Sequence, residues 1–206
     1  MKIDAKKMFY ALLGIFLIGM GVALNSCARL GNDPIGIVYD GVRNIANLNS
    51  EQLGTASNIV NCGLILLLIF TGRRYVNIGT LIYILPYGFF VNLGTKLYDN
   101  LFSSNSIHFQ WLTVAAGCLL LYTGVAIFIV VDIGLDPFTG VVMVIRDKIK
   151  WDYKRTKIMF DIIMVVIGAA LGGKFGAVTL ITALTAGPVI QFFSGQLKNV
   201  FSERKA

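Results

Sequence analysis

The sequence predicts an all-α fold, a polytopic bundle of membrane helices arranged as two tandem repeats. Three observations predict it. Of the 206 residues, 56% are hydrophobic and only 14% are charged, where a soluble domain carries roughly 25% charged residues. The mean hydropathy is +0.73, and the apolar residues fall into runs broken by glycine next to charge. The third observation is an internal likeness. Residues 17–43 and 120–146 share nine identical positions at an offset of 103: Leu17, Gly21, Val22, Ala23, Gly31, Asp33, Pro34, Val38 and Arg43 meet Leu120, Gly124, Val125, Ala126, Gly134, Asp136, Pro137, Val141 and Arg146. Further on, Thr80-Leu81-Ile82 and Gly88 match Thr179-Leu180-Ile181 and Gly187 at an offset of 99. A period of this length implies duplication. We divide the chain into a first repeat (1–98), a connector (99–110) and a second repeat (111–206).

The elements follow in order. A bilayer core of about 30 Å needs roughly 20 helical residues. Run 8–29 meets that length behind Lys2, Lys6 and Lys7, and with no small-x-small cleavage pattern it reads as a retained first helix. The chain then turns at Gly31-Asn32-Asp33-Pro34. Aspartate accepts the free amides at a helix start, proline suits the first helical position, and glycine permits a tight reversal. A short helix over 34–46 follows. Run 56–71 ends at Gly72-Arg73-Arg74, and run 77–95 contains Pro86. After the polar connector, the pattern recurs. Run 109–131 leads to Gly134-Leu135-Asp136-Pro137 and a short helix over 137–149. Runs 157–172 and 175–195 are parted by Gly172-Gly173-Lys174. Each repeat is thus a long helix, a GxDP turn, a short helix and two more helices.

The short helices hold about 13 residues, roughly 20 Å at 1.5 Å per residue, which leaves their path open. If both are re-entrant, the repeats are inverted; if both cross, the repeats are parallel. A re-entrant 137–149 leaves Arg146, Asp147 and Lys148 at depth, at several kcal/mol each. We therefore expect crossing short helices and parallel repeats, with the bilayer thinned to fit.

Charge placement sets the localisation. Six of the 18 basic residues are Arg146, Lys148, Lys150, Lys154, Arg155 and Lys157, and others cluster at both termini. By the positive-inside rule we expect a multi-pass protein of the bacterial inner membrane with both termini cytoplasmic. Anionic lipid is a sufficient partner for this charge, and nucleic acid is excluded. Three cysteines give neither a disulfide framework nor metal spacing, and His108 is the lone histidine. We expect no metal, no cofactor and no enzymatic activity.

Polar residues inside apolar runs are the candidate site. Asp33 and Asp136 either cap helices at the membrane surface or line a solute or ion site at broken helices. A carboxylate at a helix start suits a cation, a proton or an ammonium group better than a bare anion. Asn25, Asp40, Asn61 and Asp161 are further candidates for solute or ion binding. The bland readings are interhelical packing for Asn25, local bonds to Arg43 or Asn44 for Asp40, and a rim salt bridge to Lys157 for Asp161. We place most of a central site on Asn25 and Asp40 of the first repeat, with Asp33 and Asp136 at the turns; Gly31, Pro34, Gly134 and Pro137 shape those turns. Arg29 could also pair with Asp132. Tyr83 and Tyr87 line a cavity or belong to an interfacial belt.

G-V-A-L-N (21–25), L-G-N-D-P (30–34), I-G-L-D-P (133–137), G-T-L (79–81) and A-G-P (186–188) resemble the YczE-type bacterial integral membrane proteins and, more distantly, the YitT group. The resemblance implies a small inner-membrane protein described as a transporter or left without a function; it implies no substrate. Repeats and broken helices favour a secondary transporter or facilitator of a small polar, cationic or zwitterionic solute, with its site between the repeats. The alternative is a non-catalytic accessory or scaffold protein docking a cytoplasmic partner through Arg146–Lys157. A second copy of the chain is also compatible with the sequence.

Overall fold

The computed structural model describes residues 5–101 and 106–203. Among them are eight α-helices, two single 3₁₀ turns and no strand. The helices are α1 (Ala5–Cys27), α2 (Pro34–Ile45), α3 (Leu53–Thr71), α4 (Ile78–Leu101), α5 (Ile107–Val131), α6 (Pro137–Ile149), α7 (Tyr153–Ala170) and α8 (Ala177–Glu203). Four stretches are long and apolar enough to cross a membrane: Ala5–Cys27, Ser50–Thr71, Ile107–Val131 and Ala177–Lys198. Their outward faces carry large apolar side chains such as Phe70, Leu112 and Leu184. With few charges among them, these faces suit lipid, and the chain is a membrane protein.

The centre of the bundle is the α1–α5 contact. Gly14 backs onto Gly124 and Phe128, while Gly21 backs onto Gly117 and Leu121. Rising numbers on one helix meet falling numbers on the other, so the two run antiparallel. The approach is close: a Cβ on Gly21 would fall 2.6 Å from both the Gly117 oxygen and the Leu121 nitrogen. Small residues permit such backbone contact where no hydrophobic effect drives helices together. α4 lies parallel to α1, with Gly19 on Phe90 and Val91, and Gly94 on Met20 and Ala23. α8 lies parallel to α5: Val114 packs with Val178, and Tyr122 Oη lies 3.3 Å from Thr185 Oγ1.

α1 and α5 therefore run in opposite directions, which is not the parallel arrangement expected of the two halves. The physical reason lies in where the short helices begin. Pro34 and Pro137 are buried, whereas Ile45 and Ile149, at the far ends, are exposed. Each short helix starts inside and runs outward, so roughly 20 Å suffices. The loop, not the helix, carries the chain inward. Arg146, Asp147 and Lys148 consequently lie at a surface-directed end, and the burial cost that favoured crossing does not arise.

The two inward loops are buried and their backbones are satisfied by exchange between halves. Val178 N donates to Leu30 O (3.2 Å), and Gly79 N donates to Ile133 O (3.1 Å). Asn32 N also donates to Lys174 O (3.1 Å). Irregular backbone buried in an apolar bundle persists where protein meets its polar groups in this way. Arg29 and Asp132, at the starts of the loops, share positive φ (61° and 51°). Both are exposed, at opposite ends of the antiparallel pair, so they do not pair with each other.

Candidate functional site

The sequence D-P at each inward loop builds two N-caps. Asp33 Oδ2 accepts from Ile35 N (3.3 Å) and Gly36 N (3.2 Å). Asp136 Oδ1 accepts from Thr139 N (2.9 Å). Proline follows each cap at the first helical position, where a missing amide hydrogen costs nothing. The local reading of both turns is therefore met. The structure adds their meeting: Asp33 and Asp136 line one cavity between α1 and α5, beside Ile18, Val22, Leu121 and Val125. The cavity measures about 40 Å³, where one water needs ~10–15 Å³. It holds a bare ion or a molecule of very few atoms.

Both capping carboxylates keep an oxygen in reserve. Asp33 Oδ1 and Asp136 Oδ2 are buried without a hydrogen-bond partner. An unmatched buried polar atom costs ~1–3 kcal/mol, and more when charged. Lys157 of α7 also lines the cavity. Its ammonium is paired with Asp161 one turn further on, and the second oxygen of Asp161 is likewise unpartnered. Lys157 is 5% exposed and Asp161 0%. The local pair exists as read, but inside the bundle and not at its rim.

The remaining candidates are held elsewhere. Asp40 accepts from Arg43 Nε (2.9 Å) and from Lys174 N (2.8 Å), so it fastens α2 to the α7–α8 loop and does not line the cavity. Asn25 lies between α1 and α5, where its Oδ1 accepts from Cys118 Sγ (3.8 Å); it too is outside the cavity. Asn61 stands one residue back, accepting from Tyr39 Oη (3.1 Å) while Tyr39 lines the wall. Tyr83 and Tyr87 are buried and stacked at 4.8 Å, and both face the cavity, so neither forms an interfacial belt. Sequence reasoning missed Lys157, Tyr39 and Tyr122 as lining residues. The helical register of α7 was the available signal, since Lys157 and Asp161 share a face with Phe160 and Gly168 turned to the core.

Charge in the cavity can be counted in broad terms. Asp33, Asp136 and Lys157 line the cavity, and Asp161 pairs with Lys157 behind the wall; fully ionised, the set would hold three negative charges against one positive. Two helix N-termini add roughly half a positive charge each. In that fully ionised state about one negative charge would be left uncompensated. Among the described residues, no three His, Cys, Asp or Glu side chains converge as metal ligands.

Fold and site together define a helical membrane protein with two inward-starting short helices and, between them, a largely apolar cavity into which Asp33, Asp136, Thr139 and Lys157 bring polar groups. The chain belongs to a family of unknown function, DUF6198, matched over residues 5–195. An uncharacterized protein of Haemophilus influenzae is 25% identical over 182 residues, covering 88% of this chain and 80% of that protein. No solved structure matches. These names carry neither YczE nor YitT, so the resemblance stated from the motifs stands on those motifs alone.

Proposed function

We propose that the chain is a secondary transporter or facilitator that carries a small cation through the cavity between its halves. One observation carries the reading: two buried carboxyl groups, each with an oxygen that takes no hydrogen bond, line one cavity. The cavity volume narrows the solute from the wider polar class to a monovalent inorganic ion or a compact protonated group. We further propose that the halves are inverted repeats related by a pseudo-two-fold axis, each contributing three crossings and one half-helix, with both termini in the cytoplasm of a bacterial inner membrane. The exchanged loop hydrogen bonds and the opposed directions of α1 and α5 support that relation, and inverted repeats around a central site are a common transporter plan.

Two sets of contacts close the cavity's approaches. Around the α2 end, Asn44 Nδ2 donates to Gly172 O (2.6 Å) and Asp40 receives Lys174 N. Around the α6 end, Arg74 and Tyr75 hold Asp147. Opening one set while the other stays shut gives alternating access. The scaffold alternative draws on exposed Lys150, Lys154 and Arg155, but two buried carboxyl groups with unpartnered oxygens on one cavity serve no docking role.

The test is cation flux into liposomes containing the purified chain, for the wild type and for Asp33→Asn and Asp136→Asn. Asparagine still caps a helix, so these changes remove charge while leaving the turns. Each variant is expected to lower flux by about tenfold or more, equivalent to ~1.4 kcal/mol per decade. The loss should be larger for Asp136, which gives fewer of its lone pairs to helix amides. Wild-type flux retained in both folded variants would reduce the aspartates to caps and end the transport reading.

A further inference from the structure

We propose that Lys157 is a resident counter-ion that fixes the exchangeable charge of the cavity at one, so that a proton and a monovalent cation compete for the same place and are exchanged one for one. The inference rests on the cation-carrying function proposed above and deepens it.

The reasoning begins with the asymmetry of the halves. Asp33 and Asp136 occupy matched positions, but Lys157 matches Asn58 and Asp161 matches Cys62. One half alone supplies a tethered cation and its carboxylate. A buried net charge in a low-dielectric site is costly, and the uncompensated charge of the fully ionised cavity would be about minus one. Either a proton or a cation removes it. When a cation binds at the free oxygens of Asp33 and Asp136, the carboxylic O–H bond breaks, its electron pair stays on oxygen, and the proton leaves to water on the open side. The cavity holds the same charge before and after, so each half-cycle is electrically matched.

The groups facing Lys157 and the cavity are few. Asp161 lies on α7, Asp33 precedes α2 and Asp136 precedes α6. The phenols of Tyr39, Tyr83, Tyr87 and Tyr122 complete the titratable lining on α2, α4 and α5, with Tyr153 further along α7; phenols are ordinarily neutral near pH 7. α1 and α8 turn only apolar side chains to the cavity (Ile18, Val22, Ala186 and Ile190). Among the described residues, no second basic side chain lines the cavity.

The experiment uses the full chain in phosphatidylethanolamine–phosphatidylglycerol liposomes loaded with a pH dye and a voltage dye. A sodium chloride or potassium chloride gradient is imposed in turn. The wild type is expected to change internal pH without a voltage signal. Lys157→Met leaves two uncompensated charges; the small cavity still admits one cation, which then displaces two protons, so net charge moves and a voltage signal should accompany flux. Lys157→Arg keeps a fixed cation and should behave as the wild type. The double variant Lys157→Met with Asp161→Asn restores the count, and its voltage signal should vanish again, which also guards against a variant that merely misfolds. A lysine with a structural role alone would lower flux in Lys157→Met without altering the charge moved, and that result overturns this inference. Absence of any cation flux in the wild type overturns the parent reading instead.

Discussion

At Gly31 the backbone has φ +101°, and an added Cβ would fall 2.6 Å from Gly176 N. Two separate costs therefore attach to a side chain there. The left-handed conformation alone costs an L-residue ~1–2 kcal/mol, and the neighbouring backbone belongs to the other half, where it cannot move aside freely. Gly31→Ala is expected to lower the thermal unfolding midpoint of the detergent-solubilised protein. Gly63→Ala is the control, because a Cβ there meets nothing within 4 Å and alanine favours a helix over glycine. An equal midpoint for the two variants would mean that the loop relaxes and that its position is not under steric control. Asp33 and Asp136 show how far residue-scale reasoning reaches. The D-P pair signals a helix start by local chemistry, and both caps form. Their convergence on one cavity depends on contacts some hundred residues apart, which no local pattern encodes.

At the scale of elements, the short helices differ in how their outer ends are fastened. The α2 end is tied by neutral hydrogen bonds from Asn44 and through the carboxylate of Asp40, which is also paired with Arg43 (2.8 Å). The α6 end is tied by Asp147, held by Arg74, Tyr75 and Arg146. Arg74 is exposed, so salt screens its ion pair. Asp147→Asn is expected to loosen the α6 end selectively. Cysteine introduced at Thr139, at the cavity wall, should then react faster with a thiol reagent applied from the α6 side and no faster from the α2 side. Equal acceleration from both sides would show that the ties do not act as separate barriers. These elements were legible in the sequence in length and order, because proline, glycine and charge punctuate them. Their path was not. Helix length bounds how far a segment reaches but not where it starts, and the loops 28–33 and 132–136 carry their chain inward through backbone with positive φ at Arg29, Gly31, Asp132 and Gly134. The same gap explains Asn25 and Asp40: both are polar and buried, yet helix rotation turns them to other partners.

At the scale of the molecule, the antiparallel α1–α5 pair makes a prediction that needs no solute. Arg29 and Asp132 stand at equivalent turns, both exposed and both at positive φ, yet at opposite ends of the bundle. If the halves are inverted across a membrane, these residues face opposite compartments. Single cysteines at Arg29 and Asp132, in a chain with Cys27, Cys62 and Cys118 replaced by serine or alanine, can be probed in sealed vesicles with an impermeant maleimide. One position should label from outside and the other only after the vesicles are opened. Under the proposed orientation Asp132 is expected on the cytoplasmic side, because the basic Lys150, Lys154 and Arg155 lie exposed beyond the outward-running α6. Labelling of both positions from one side would restore parallel halves. The two capping aspartates would then have to reach a shared cavity from the same face, which the packing of Gly14 on Gly124 and Gly21 on Gly117 does not permit.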